Sequence, residues 1–110
     1  MKRFLVIYNA PGEAMAEMSK ATPEQKEEGM KVWFAWKDSM GDNLIDFGTP
    51  LVGGQRIQTD GSVQTAANGV SGYSIIQAHN MDEAKTLLSS HPHLEWVDGC
   101  NIEVHECISM

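Results

Sequence analysis

The run KRFLVIYN (Lys2–Asn9) does most to narrow what this chain can fold into. It has no helical period, it is rich in β-branched and aromatic residues, and Pro11-Gly12 ends it, so it reads as a strand. Successive side chains of a strand point to opposite faces. Phe4, Val6 and Tyr8 therefore share one face and Arg3, Leu5 and Ile7 the other, and both faces are largely apolar. The strand SGYSIIQAHN (71–80) repeats this, with Tyr73 and Ile75 opposite Ile76 and Ala78. A sheet apolar on both sides must be covered on both sides.

Two helices are available as cover. In ATPEQKEEGMKVWFAWKDSMGDN, Thr22 is an N-cap, Pro23 suits the first helical position, and Gln25 completes a capping box. Glu24, Glu27 and Glu28 lie toward the positive end of the helix dipole. Met30, Trp33, Phe34, Lys37 and Met40 follow the spacing of one buried face, and Gly41 supplies the stop. Asn80 and Glu83 start a second helix with the stripe Ala84, Leu87, Leu88, which Pro92 ends. A further short helix is expected over 13–20. NLIDFGTPLVGGQRIQ (43–58) reads as a strand broken at Gly48-Thr49-Pro50 and again at Gly53-Gly54; TDGS is a turn, SVQTAANG a short strand or loop, and CNIEVHECIS (100–109) the last strand.

The order β-α-β-(β)-β-α-β predicts a single α+β domain over 1–110, a ferredoxin-like split βαβ whose antiparallel sheet carries its helices on one face. The other face then needs a cover, and a second copy of the chain is the simplest one. A homodimer through the sheet face is expected.

A chain of 110 residues has room for one core. Its 15 acidic against 8 basic residues give a net charge of −7, a field that repels phosphate backbones and anionic headgroups, so neither nucleic acid nor membrane is expected as a partner. The apolar run Phe4–Tyr8 is far too short to span a bilayer, and no small-residue cleavage site follows it. Cys100 and Cys107 lie seven residues apart on one strand, roughly 20 Å, beyond disulfide reach. Free thiols and a cytoplasmic location are expected.

MKRFLVIYN, FGTPLVGGQRI, TDGS and SGYSIIQAHNMDEAKTLLSSHP…NIEVHECI, in that order, resemble the YCII-related (DGPF-type) proteins. The most specific parts are the G-Y-x-x-I-x-A-x-x-x-D-E-A block from Gly72 to Ala84, the His91-Pro92 pair and the I-E-V strand from Ile102 to Val104. The resemblance covers nearly the whole chain and implies a dimeric α+β barrel with no cofactor. Most such proteins have no known activity; a few relatives use a His–Asp pair, the His on the first long helix, for proton transfer on ring substrates. This chain departs from that pattern. The segment Pro23–Met40 has no histidine, Lys31, Trp33 and Trp36 occupying the region, and TDGSV keeps Asp60 and Gly61 but lacks the Pro-Phe.

His91 and His93 flank the Pro92 stop and are expected to be structural or surface residues favoured by the negative helix end, and no metal pattern is present. On the last strand Ile102, Val104 and Ile108 should face the helices, while Glu103, His105 and Cys107 face the inter-sheet space, where an imidazole can move a proton. His79, at a strand–helix junction, and Asp60, in the TDGS turn, are further candidates. Trp33 belongs to the helix stripe and Trp36 to its edge; with Tyr8, Phe47 and Tyr73 they can line a pocket for an aromatic or hydrophobic ligand. Two functions follow: a small-molecule-binding dimer that acts, where it is an enzyme, as a cofactor-independent lyase or isomerase, or a non-catalytic binding or interaction module.

Overall fold

The computed structural model describes residues 1–14, 20–66, 69–96 and 98–109. Its strands are β1 (Lys2–Asn9), β2 (Leu44–Asp46), β3 (Gln55–Ile57), β4 (Val63–Thr65), β5 (Val70–Ala78) and β6 (Asn101–Cys107), with helices α1 (Pro23–Met40) and α2 (Met81–Leu88). The short helix expected over 13–20 falls mostly outside the described residues; 12–14 have helical backbone.

Four strands form one antiparallel sheet in the order β2-β5-β1-β6, the arrangement of a split βαβ fold. The helices lie on one side only. The segment expected as a second, broken strand divides between two sheets. Its start forms β2, Pro50 makes one further bridge to Gly72, and its end leaves as β3 to pair with β4 in a separate hairpin. Gly48 makes the break possible. Its φ is 79°, and a Cβ there would lie 1.8 Å from the Tyr73 carbonyl oxygen, so no other residue fits. In the β3–β4 turn Asp60 Oδ1 accepts from Ser62 N–H at 2.8 Å.

Both helix starts are built as their sequences require. Thr22 Oγ1 accepts from Gln25 N–H while the Gln25 side chain accepts from Thr22 N–H. Asn80 Oδ1 accepts from Glu83 N–H at 2.8 Å. Along α2, Ala84 and Leu88 are buried and Leu87 packs against them.

The face α1 buries differs from the expected one. Trp36 and Met40 are its buried residues and Trp33 is half-buried, whereas Phe34 is 48 % exposed and Met30 and Lys37 are exposed. Rows Met30–Phe34–Lys37 and Trp33–Trp36–Met40 are both helical stripes, and period alone does not choose between them. On the buried row Trp36 packs against His91, ring centroids 4.3 Å apart with the planes tilted by 57°.

The core lies between sheet and helices, from Phe4, Val6, Tyr8, Ile76 and Ala78 of the sheet to Trp36, Met40, Ala84 and Leu88. On the sheet's other side Leu5, Ile7, Tyr73 and Ile75 are only half-covered. On β6, Ile102 and Val104 pack toward the core as expected; Ile108 lies past the strand and is 76 % exposed. Cys100 and Cys107 are free.

Candidate functional site

The side chains with the most unusual surroundings sit where the turn after α2 meets β1 and α1. The residue before a proline is pushed to extended backbone, and His91 takes φ −62°, ψ 136°. Pro92 then starts a short helical turn, Pro92–Glu95, which His91 caps: its Nδ1 accepts from His93 N–H at 2.9 Å. Both imidazoles are thereby turned inward and buried. Of the structural and surface roles expected for them the structure shows the structural one, as buried residues of a capped turn rather than as cations at a helix end. The cap fixes the ring's orientation, and the partner elements then enclose it.

Three of the five residues expected to line a ligand pocket, Tyr8, Trp33 and Trp36, meet at these histidines, and a fourth, Phe47, packs beside the two tryptophans. Tyr8 comes from the helix-facing row of β1, Trp33 and Trp36 from α1, and Phe47 from the loop after β2. Ring centroids are 4.8 Å from Tyr8 to His91, 4.5 Å from Trp33 to His91 and 5.0 Å from Tyr8 to Trp33. Phe47 lies 6.4 Å from Trp33 and 6.5 Å from Trp36. At the rim, exposed Phe34 stacks beside Phe47, and Lys37 Nζ lies 5.5 Å from the Phe47 ring centroid.

Burial sets the protonation states here. Desolvation, helped by the proximity of His93, pulls the His91 pKa down to about 3, so the ring is neutral at ordinary pH. Because Nδ1 accepts the His93 amide hydrogen, the ring proton belongs on Nε2. Among the described residues that Nε2 is buried with no partner, and so is Trp36 Nε1. Burial also lowers the His93 pKa, against the opposing pull of the Asn9 and Asn101 carbonyls; His93 Nε2 lies 2.8 Å from Asn9 O. Tyr8 is pushed up to about 12 by desolvation, outweighing its bond to Ser74. Ser74 Oγ donates to Phe47 O at 2.6 Å, so Tyr8 donates to Ser74 at 2.8 Å.

The other candidates lie elsewhere. Tyr73 is on the opposite side of the sheet, its hydroxyl 3.4 Å from Asp46 Oδ2. His105 is exposed on that same side, its Nε2 3.4 Å from Glu103 Oε1, and Asn9 Nδ2 donates to Glu103 Oε2 at 2.8 Å. Those two donors, Asn9 first, hold the Glu103 carboxyl below its usual range. His79 is exposed and paired with Glu83 at 2.9 Å, an interaction that lowers the Glu83 pKa. Asp60 is fully exposed, its pKa lowered by Ser62. His105, His79 and Asp60 thus occupy three separate places. Among the described residues no group of three His, Cys, Asp or Glu is placed to hold a metal ion, and no helix is long and apolar enough to cross a membrane.

What sequence reasoning did not find is that His91 and His93 are buried against the aromatic residues. One signal was present: proline favours the first position of a helical turn, which makes the preceding His91 a cap, as Thr22 is for Pro23.

No family model and no curated protein matches the chain. Among solved structures it is similar to 5-chloro-2-hydroxyhydroquinone dehydrochlorinase (TftG) from Burkholderia phenoliruptrix AC1100 in complex with 2,5-dihydroxybenzoquinone. The TM-score is 0.52 at 14% identity, covering 92% of this chain and 90% of that one. The likeness shows a shared α+β fold, with a four-stranded antiparallel sheet and its helices on one face.

Proposed function

We propose that this chain is a small-molecule-binding protein of the YCII-related kind, homodimeric through its open sheet face, whose ligand is an oxygen-bearing aromatic seated against α1. The observation that carries the reading is the pair of unpartnered, buried N–H donors, His91 Nε2 and Trp36 Nε1, on rings 4.3 Å apart inside an aromatic cluster. A buried donor without an acceptor costs about 1–3 kcal/mol. A carbonyl or phenolic oxygen would remove that cost, and a flat ring would find Trp33, Phe34 and Phe47 along the rim with Lys37 beside them. The quinone bound by the structurally similar dehydrochlorinase is a ligand of this class. The half-covered row Leu5, Ile7, Tyr73 and Ile75 supports the dimer.

As an enzyme the protein would be a cofactor-independent lyase or isomerase. Neutral His91 would polarise the ligand oxygen as a fixed N–H donor, a role that needs no protonated imidazole. The separation of His105, His79 and Asp60 from this cluster, and from each other, favours the alternative of binding without catalysis.

Tryptophan fluorescence tests the reading directly, because Trp33 and Trp36 form the site. Titration with 2,5-dihydroxybenzoquinone should give saturable quenching. His91→Phe and Trp36→Phe, which keep a ring and remove an N–H, should each weaken binding by about tenfold or more. Unsaturable quenching, or equal affinity in both variants, would sink it.

A further inference from the structure

The hairpin of β3 and β4 stands apart from the main sheet. Every residue of both strands is exposed, and the two strands pair only with each other. Ile57 lies opposite Val63 and Arg56 opposite Gln64, so alternation puts the apolar pair on one face of the hairpin and the polar pair on the other. Ile57 is 75 % exposed and Val63 55 %, and Val52, on the approach to β3, is 83 % exposed. A two-stranded hairpin is only marginally stable in water by itself. One whose apolar face is bare needs a surface to lie on.

The root, the charge and the shape of the molecule all point to a second copy of the chain as that surface. The root of the hairpin is tied to the start of β5: Leu51 N–H donates to Ser71 O at 3.0 Å, and Pro50 bridges Gly72. The next residue, Tyr73, belongs to the half-covered row of the open sheet side, so a copy closed over that row lies beside the root. From Leu51 to Ala66 the only charged residues are Arg56 and Asp60, which makes this segment neutral in a chain of net charge −7. Two such chains repel each other, and the neutral hairpin is where they approach with least repulsion. A basic partner would be drawn to the acidic body instead. The molecule is also flat, 43 × 38 × 21 Å, with a radius of gyration of 15.2 Å. A compact chain of this length would have about 13 Å. A flat body carrying an apolar arm has the form of half an assembly.

We propose that the hairpin is a dimerisation arm, whose Ile57–Val63 face packs on the second copy while the partner's arm packs back by two-fold symmetry. The inference rests on the homodimer read from the open sheet face and adds to it a second, separate contact.

A double variant, Ile57→Thr with Val63→Thr, keeps branched side chains suited to strands and removes the apolar pair. By sedimentation, its dimer dissociation constant should rise at least about tenfold over the wild type. Gln64→Thr, on the other face of the same hairpin, should leave it unchanged. The wild-type chain gives an independent readout: in dimers mixed from isotope-labelled and unlabelled copies, filtered NMR should show the Ile57 and Val63 methyls touching the unlabelled copy. A wild type that stays monomeric at micromolar concentration would overturn both the arm and the sheet-face dimer. A dimer in which those methyls touch no partner, or whose affinity survives the double variant, would overturn the arm alone.

Discussion

The two sides of the β-sheet hold the same kinds of residue in opposite states. Toward the helices Tyr8, Ile76, His91 and His93 are closed in, the imidazoles are neutral, and hydrogen bonds run to backbone and to Ser74. On the open side Tyr73, Ile75 and His105 are half-covered or exposed, and their polar atoms pair with the carboxylates Asp46 and Glu103. Side-chain chemistry alone therefore does not say what a histidine or tyrosine does in this fold. Alternation along β1 and β5 assigns the side, and the side assigns the behaviour.

Neighbouring isoleucines make the sharpest test of this. Ile76, fully buried, should lose about 2–5 kcal/mol of stability on Ile76→Ala. Ile75→Ala, one residue away on the open side, should cost less in dilute protein. In a dimer closed over this face its cost should rise with protein concentration, and that of Ile76→Ala should not. Urea unfolding at two concentrations, with sedimentation to report mass, reads both. A concentration-independent Ile75→Ala and a monomeric mass would break the two-sided picture.

The histidines differ next most. The unfolded His91 titrates near 6.5, the folded one near 3. Stability is complete above the unfolded value and falls as pH drops through the interval between the two, because only the unfolded chain takes the proton. The loss is at most about 1.4 kcal/mol per pH unit for one group. Between pH 6.5 and 5, above the range where carboxyls titrate, His91→Phe should flatten the fall in urea midpoint. A wild-type midpoint constant across that interval would contradict a buried, neutral His91.

How legible each feature was depends on how local its cause is. The Thr22–Gln25 box, the Asn80 cap and the Gly48 break are settled within a few residues, and each appears in the structure where its motif stands. The split βαβ order followed from those elements. What the sequence did not specify was phase and depth. Trp36 and Phe34 are both plausible inner residues of α1, and the choice rests on His91, which arrives from the far end of the chain. For the same reason the sequence groups Tyr8, Trp33, Trp36, Phe47 and Tyr73 but not the two histidines that pack among them, and it includes Tyr73, which lies on the opposite side of the sheet.

The smallest contrast is also the cleanest, because it changes one oxygen on each side. Tyr8→Phe removes a donor from Ser74 Oγ in a dry site; Ser74 still donates to Phe47 O but is left with an unmet acceptor position. Losing one such buried bond costs about 1 kcal/mol. Tyr73→Phe removes a long bond of 3.4 Å to Asp46 on the open side, so in protein dilute enough to be monomeric its effect should stay within about 0.5 kcal/mol. The ring, and so the packing, is unchanged in both, which leaves the hydroxyl's surroundings as the only variable. Equal costs in chemical unfolding would mean that water reaches Tyr8 as easily as Tyr73, and the helix side would then be open enough to admit a ligand without rearrangement.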